Sequence, residues 1–135
     1  LLQKKVSEIL GYNRLSSRLV EEINAAVDKV EQAENIQVKE NFIYHKNTEI
    51  RIRDRSSLAD AHRKIKFIPS AEIKQSLIKL TELSYSIHKD ELLKKTAYTF
   101  GYDRVGPNIK RRINTLIDEL IEDEALNVRN NKLFV

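Results

Sequence analysis

The residues of this 135-residue chain that could do chemistry are mostly cations, and they come in groups. Lys110, Arg111 and Arg112 stand between Asn108 and Asn114, Lys94 and Lys95 form a pair, Arg51, Arg53 and Arg55 alternate with other residues, and Arg129 and Lys132 flank an Asn-Asn step. Guanidinium and ammonium groups beside side-chain amides suit a polyanion: the cations meet phosphates, and Arg or Asn can bond a base edge at two points. Groups for covalent or metal chemistry are missing or scattered. Cysteine is absent, which excludes disulfides, thiol nucleophiles and Cys-based zinc sites. His45, His62 and His88 have no metal-site spacing, and Asp103 and Asp118 show no sign of an acid/base pair. With three glycines there is no phosphate-cradling loop. The expectation is a protein that is not an enzyme and uses no metal or cofactor.

A stretch that must position the first group, Gly101-Tyr-Asp-Arg-Val-Gly-Pro-Asn-Ile-Lys-Arg-Arg-Ile-Asn, has a counterpart ninety residues earlier, Gly11-Tyr-Asn-Arg-Leu-Ser-Ser-Arg-Leu-Val-Glu-Glu-Ile-Asn. Laid on each other without a gap, residues 1–45 and 91–135 share 12 identities, among them Leu2 with Leu92, Gly11 with Gly101, Arg14 with Arg104, Ile23 with Ile113 and Asn41 with Asn131. The apolar positions agree as well, as in Leu10 with Phe100 and Ile43 with Leu133, so the chain is read as an internal repeat. Each copy predicts a helix stopped by glycine, a tight turn, and a second helix. In the later copy that helix has Pro107 in its first turn and a stripe of Ile109, Ile113, Leu116, Ile117 and Leu120. The acidic run from Asp118 to Glu124 crowds its far end, against the helix dipole, and predicts fraying. Two short alternating runs around Asn130-Asn131 then predict a β-hairpin. Helix, turn, helix and hairpin is the plan of a winged helix-turn-helix, which normally starts with a further helix. For the later copy that helix is predicted from Ser70 as N-cap to about Tyr85, with Ile73, Leu77, Leu80 and Leu83 as its stripe.

The expected fold is therefore mainly α with small β-hairpin wings: tandem winged helix-turn-helix repeats, the first incomplete. Residues 1–45 form a partial repeat, 46–68 a basic linker and 69–135 a winged-helix domain. A fragment of about 45 residues rarely folds alone, so the first copy is expected to be completed by upstream sequence, by the linker or by another chain. The linker predicts an extended strand with its arginines on one side, or a short helix across Leu58 to Lys66. It carries the charge: residues 46–69 hold 7 Lys and Arg against 3 Asp and Glu, which equals the net +4 of the whole chain. A basic balance permits a nucleic-acid partner without requiring one. No run nears the roughly 18 apolar residues of a membrane span, and the first residues lack the features of a signal peptide. The expectation is a soluble, cytoplasmic protein, and the absence of an initial Met suggests a piece of something longer.

The residues Ile68-Pro-Ser-Ala-Glu-Ile73, Ile87-His-Lys-Asp-Glu-Leu92, Thr96-Ala97 and Phe100-Gly-Tyr-Asp-Arg-Val-Gly106 carry a resemblance. Over about residues 50–135 the chain resembles the uncharacterised winged-helix domain at the C-terminus of large bacterial superfamily-one DNA helicases, a domain often found beside a restriction-endonuclease-like domain. The resemblance implies an accessory part of a DNA-processing enzyme, with the helicase domains as partners and no catalytic residues in this region.

Lys110, Arg111, Arg112, Asn108 and Asn114 then fall on the outward side of the helix that in this fold meets a duplex, with phosphate contacts from Lys94, Lys95, Arg104, Arg129, Lys132 and the linker arginines. The competing reading of these cations is a solvated basic surface. In the first copy Glu21 and Glu22 replace Arg111 and Arg112 and would repel phosphate, so that helix is expected to pack against protein, including a second copy of the chain. Arg14 and Arg104 recur in both copies and are expected to bond helix-end carbonyls. Tyr12 and Tyr102 are expected to pack half-buried beneath the wings.

Overall fold

The computed structural model describes residues 2–33 and 35–135, and its contacts divide the chain into two units, Leu1–Thr48 and Glu49–Val135. It is mainly helical with small antiparallel hairpins. Among the described residues no helix is long and apolar enough to cross a membrane.

In the first unit, helix α1 (Leu2–Ile9) ends where Gly11 turns left-handed at φ +80. The Gly11 N–H donates to the Glu8 carbonyl and the Tyr12 N–H to that of Ser7, the paired bonds of a Schellman ending. Helix α2 (Ser17–Ala33) starts with the Ser16 hydroxyl accepting from the Leu19 N–H at 3.2 Å, an N-cap. Strands β1 (Ile36–Lys39) and β2 (Phe42–His45) pair through a two-residue turn at Glu40 and Asn41, both at positive φ. That conformation matches the twist of a hairpin, and Asn tolerates it better than most residues. Glu34, the counterpart of Glu124, lies outside the described residues.

The second unit runs through α3 (Ser70–Ser84), β3 (Ile87–His88), α4 (Lys89–Thr99), α5 (Pro107–Glu122), β4 (Asn127–Arg129) and β5 (Lys132–Phe134). Its antiparallel sheet has the order β3-β5-β4, with Ile87 opposite Leu133 and Val128 opposite Leu133 on the other side. The predicted α5 stripe is inside: Ile113, Leu116, Ile117 and Leu120 are buried with Ile73 and Leu77 of α3, Leu92 and Ala97 of α4, Phe100, and Leu133 of β5. The same local geometry seen in the first unit stands ninety positions on. Gly101 sits at φ +84 between the bonds Gly101 N–H to Tyr98 O and Tyr102 N–H to Ala97 O, and Asn130 and Asn131 are both at positive φ. This order of elements is compatible with a winged-helix-like fold.

Four expectations change. Ser70 is the first residue of α3 rather than its cap, and no side chain caps that end. The α3 stripe also swings: Leu80 is half-buried and Leu83 exposed, while Ser76 and Thr81 face the core, with the Thr81 hydroxyl returned to the Leu77 carbonyl at 2.8 Å. The acidic end of α5 is held rather than left to repel, because Lys74 reaches Glu119 at 2.8 Å and Asp123 at 3.6 Å, and Lys89 reaches Asp118 at 2.6 Å. Finally, residues 49–69 are neither a linker nor a paired strand. They form a strap within the second unit, with Ile65 and Ile68 buried in its core, Ile52 packed against it, and a single 3-10 turn at Ile65–Phe67 as its regular structure. Isoleucines alternating with arginines mimic a strand pattern, but no strand edge receives them.

The strap lies hard against the turn after α4. A Cβ added at Gly101 would sit 2.7 Å from the Ser56 Cα and closer still to its nitrogen, whereas one added at Gly11 would meet nothing within 4 Å. Both glycines are left-handed, so the pair separates backbone strain from contact. Gly11→Ala is expected to cost about 1 kcal/mol, the left-handed penalty alone. Gly101→Ala is expected to cost about 3 kcal/mol or more, since the Ser56 backbone must move. Amide hydrogen exchange, read separately for helices of the two units, measures both, and equal costs would show that Ser56 does not press on the turn.

Candidate nucleic-acid interface

Cations in the first turn of a helix oppose the positive end of its dipole, at a typical cost of about 0.3–1 kcal/mol each. Helix α5 nonetheless opens Pro-Asn-Ile-Lys-Arg-Arg with no acidic residue in its first turn. Lys110 and Arg111 are exposed, and Arg111 donates to the Asn108 Oδ1 at 2.6 Å, which fixes two exposed polar side chains on one turn. Arg104, three residues before Pro107, is exposed as well. Cations, amides and unbonded N–H groups therefore converge where the dipole also favours an anion. The equivalent positions in α2 are Val20, Glu21 and Glu22, so the fold itself does not demand this cluster.

Not every predicted contact belongs to this surface. Arg112 turns inward and donates to the Ser70 Oγ at 2.7 Å, tying α5 to the start of α3, and Asn114 is half-buried. Lys95 is paired with Glu91 at 2.9 Å, while Lys94 and Arg51 are exposed. Arg129 and Lys132 are exposed on the hairpin.

The strongest correction concerns Arg53 and Arg55, expected on an open strand. Arg55 is buried, with its two terminal nitrogens 2.7 and 2.9 Å from the two carboxylate oxygens of Glu72 and its guanidinium 5.6 Å from the centre of the Phe100 ring. Arg53 adds a side-chain bond at 2.8 Å and a backbone N–H bond at 2.9 Å to the same carboxylate. Arg55 also donates to the Arg53 carbonyl at 2.8 Å. Glu72, in the first turn of α3, is thus the anchor of the strap. Burial alone would push its carboxyl up; the bonds from Arg55 and Arg53 outweigh this and hold it below the usual carboxylate range.

The turn arginines change roles as well. Arg14 and Arg104 bond no helix-end carbonyl among the described residues. Arg63 of the strap does that work in the second unit, donating to the Gly101 carbonyl at 3.3 Å and the Ser56 carbonyl at 3.1 Å. Asp54 shapes the strap by accepting the Ser56 N–H at 2.8 Å, an Asx-turn. Tyr102 is buried, with Arg55 and Arg63 of the strap as its charged neighbours, and burial pushes its phenol up. Tyr12, its counterpart, is 54% exposed. Sequence reasoning missed Tyr85, which ends α3 at φ 57 and ψ −43 and is 90% exposed. Its only signal was a large aromatic beside serines just past a helix end.

No protein-family model, curated protein or solved structure matches the chain.

Because the folded Glu72 value is depressed, its stabilising contribution is complete above the unfolded carboxylate range near 4.3 and is lost as pH falls through the folded value. Stability of the second unit is expected to decline below about pH 4–5, and Glu72→Gln to flatten that acid limb. At neutral pH, Arg55→Met should destabilise by about 3 kcal/mol or more because it strips a buried carboxylate of its main partner. Arg51→Ala should stay within about 0.5 kcal/mol. Urea titration followed by circular dichroism reads all three, and equal effects at Arg51 and Arg55 would contradict the burial.

Proposed function

We propose that this region is a non-catalytic, DNA-contacting part of a larger, cytoplasmic DNA-processing protein of the helicase type, built from two winged helix-turn-helix repeats of which the second meets duplex DNA. The observation that carries the reading is the exposed pair Lys110 and Arg111, the fourth and fifth residues of α5, placed near the positive end of the dipole and absent from α2. The order helix, strand, helix, helix, hairpin in the second unit supports it, since in winged helices the helix before the hairpin enters the major groove. The recurrence of both turn geometries after ninety residues supports the repeat. The helicase context rests on the sequence resemblance alone.

A specific observation favours a second role for the first unit. Leu10 is 60% exposed where Phe100 is fully buried, and Ile43 is 42% exposed where Leu133 is fully buried. In the second unit α3, β3 and the strap help to enclose the core; the first unit has no such elements among its described residues. Its apolar face reads as a protein-contact surface, with a second copy of the chain as one candidate partner.

Anisotropy titration of a labelled duplex tests the first reading. If four phosphates are neutralised, log affinity should fall with log salt at a slope of about −3 to −4. Lys110→Glu with Arg111→Glu should abolish binding with an unchanged circular dichroism spectrum; a flat salt dependence would overturn the assignment. Sedimentation over a range of concentrations tests the second reading, with Leu10→Asp expected to shift any dimer toward monomer.

A further inference from the structure

The outer face of the β3-β5-β4 sheet carries a charge arrangement that the hairpin does not need. Arg129 of β4 lies directly opposite Lys132 of β5, and Lys132 lies opposite His88 of β3, so by strand alternation the three project from one face in a row. Two like charges directly opposite each other destabilise a strand pair. Neither Arg129 nor Lys132 has a carboxylate partner among the described residues. At the equivalent place in the first unit Lys39 lies opposite Phe42, so this turn type forms without two facing cations.

Beside the cations stand two aromatic side chains. A shallow concavity of about 500 Å³ has Tyr85, Arg129, Lys132, Phe134 and Val135 among its lining residues. Tyr85 is held at φ 57 and ψ −43, the centre of a γ-turn closed by the Ser86 N–H donating to the Ser84 carbonyl at 2.6 Å, a rare backbone state that costs a residue with a Cβ about 1–3 kcal/mol and glycine less. At 90% exposure its ring gains little from burial in return. Backbone strain and facing cations each lower stability, the exposed ring beside them does little to offset this, and their coincidence is accounted for by a ligand that supplies negative charge and flat apolar faces together.

We propose that this concavity binds single-stranded nucleic acid, with a base stacked on Tyr85 and adjacent phosphates neutralised by Arg129 and Lys132. Stacking tolerates any base, so the site is indifferent to sequence. It is separate from the α5 surface assigned to duplex DNA, and does not depend on that assignment.

The test uses the whole chain and a labelled thymidine oligonucleotide of about 12 residues, within the usual range of single-strand site sizes. Tyr85→Gly is expected to raise thermal stability by relieving the backbone, while weakening oligonucleotide binding about 10-fold, the effect of losing one stacked base. Lys110→Glu with Arg111→Glu should leave this binding intact. Because the chain has no tryptophan, Tyr85→Trp installs a single reporter, whose emission should be quenched by the oligonucleotide and not by a heparin hexasaccharide, an anion without stacking faces. Quenching by both, or undiminished binding by Tyr85→Gly, would reduce the site to a plain anion patch and overturn the proposal. A loss of stability in Tyr85→Gly would show that the ring has a structural role and would likewise overturn it.

Discussion

The carboxylate of Glu72 is the point on which the second unit turns. It is almost fully removed from solvent, a position in which a lone charge would be costly, and it is made tenable by two guanidinium groups and a backbone N–H from one short stretch of chain. Satisfying it determines where the strap runs. The strap in turn covers Phe100, crosses the Gly101 turn and brings Arg63 to the carbonyl left open there. Buried ion pairs often add little net stability relative to a hydrophobic replacement, whereas removing one partner leaves an uncompensated buried charge.

The helices and turns were legible because each is decided by near neighbours. The 3.6-residue period of Ile109, Ile113, Leu116 and Leu120, the glycine at the end of α4 and Pro107 in the first turn of α5 act locally, and the structure places them as read except that Ile109 is only partly buried. The hairpin turns were legible for the same reason. The strap was not, because what distinguishes Arg55 from Arg51 is a carboxylate 17 residues away, and nothing in an alternating Ile-Arg pattern announces that one of its cations is internal. β3 escaped notice because two residues are too few to show a period. Thr81 gives no apolar signal in sequence, yet its hydroxyl is satisfied within its own helix and its body is buried.

The candidate site was legible in kind and less so in membership. The cationic start of α5 could be read from sequence, since comparison with α2 separates what the fold needs from what the second unit adds. Arg112 could not be sorted from Arg111 without knowing which side of α5 meets Ser70. The same comparison explains the difference in core size. In the second unit α3 and the strap close over α4, α5 and the hairpin, whereas among the described residues of the first unit two helices and a hairpin bury two aliphatic side chains, Leu19 and Ile23.

The strap also bears on the order in which the second unit assembles. Helical turns and the two-residue hairpin join residues a few positions apart, while the strap is fastened by bonds spanning 17 and 19 residues to Glu72 and 38 residues to Gly101. Closing such long loops costs entropy that is recovered only when both ends are already in place. A strap fastened through such distant partners is expected to dock after the Gly101 turn and the first turn of α3 have formed. The segment that reads in sequence as a connector is thereby the part of the second unit whose place depends most on the rest of it.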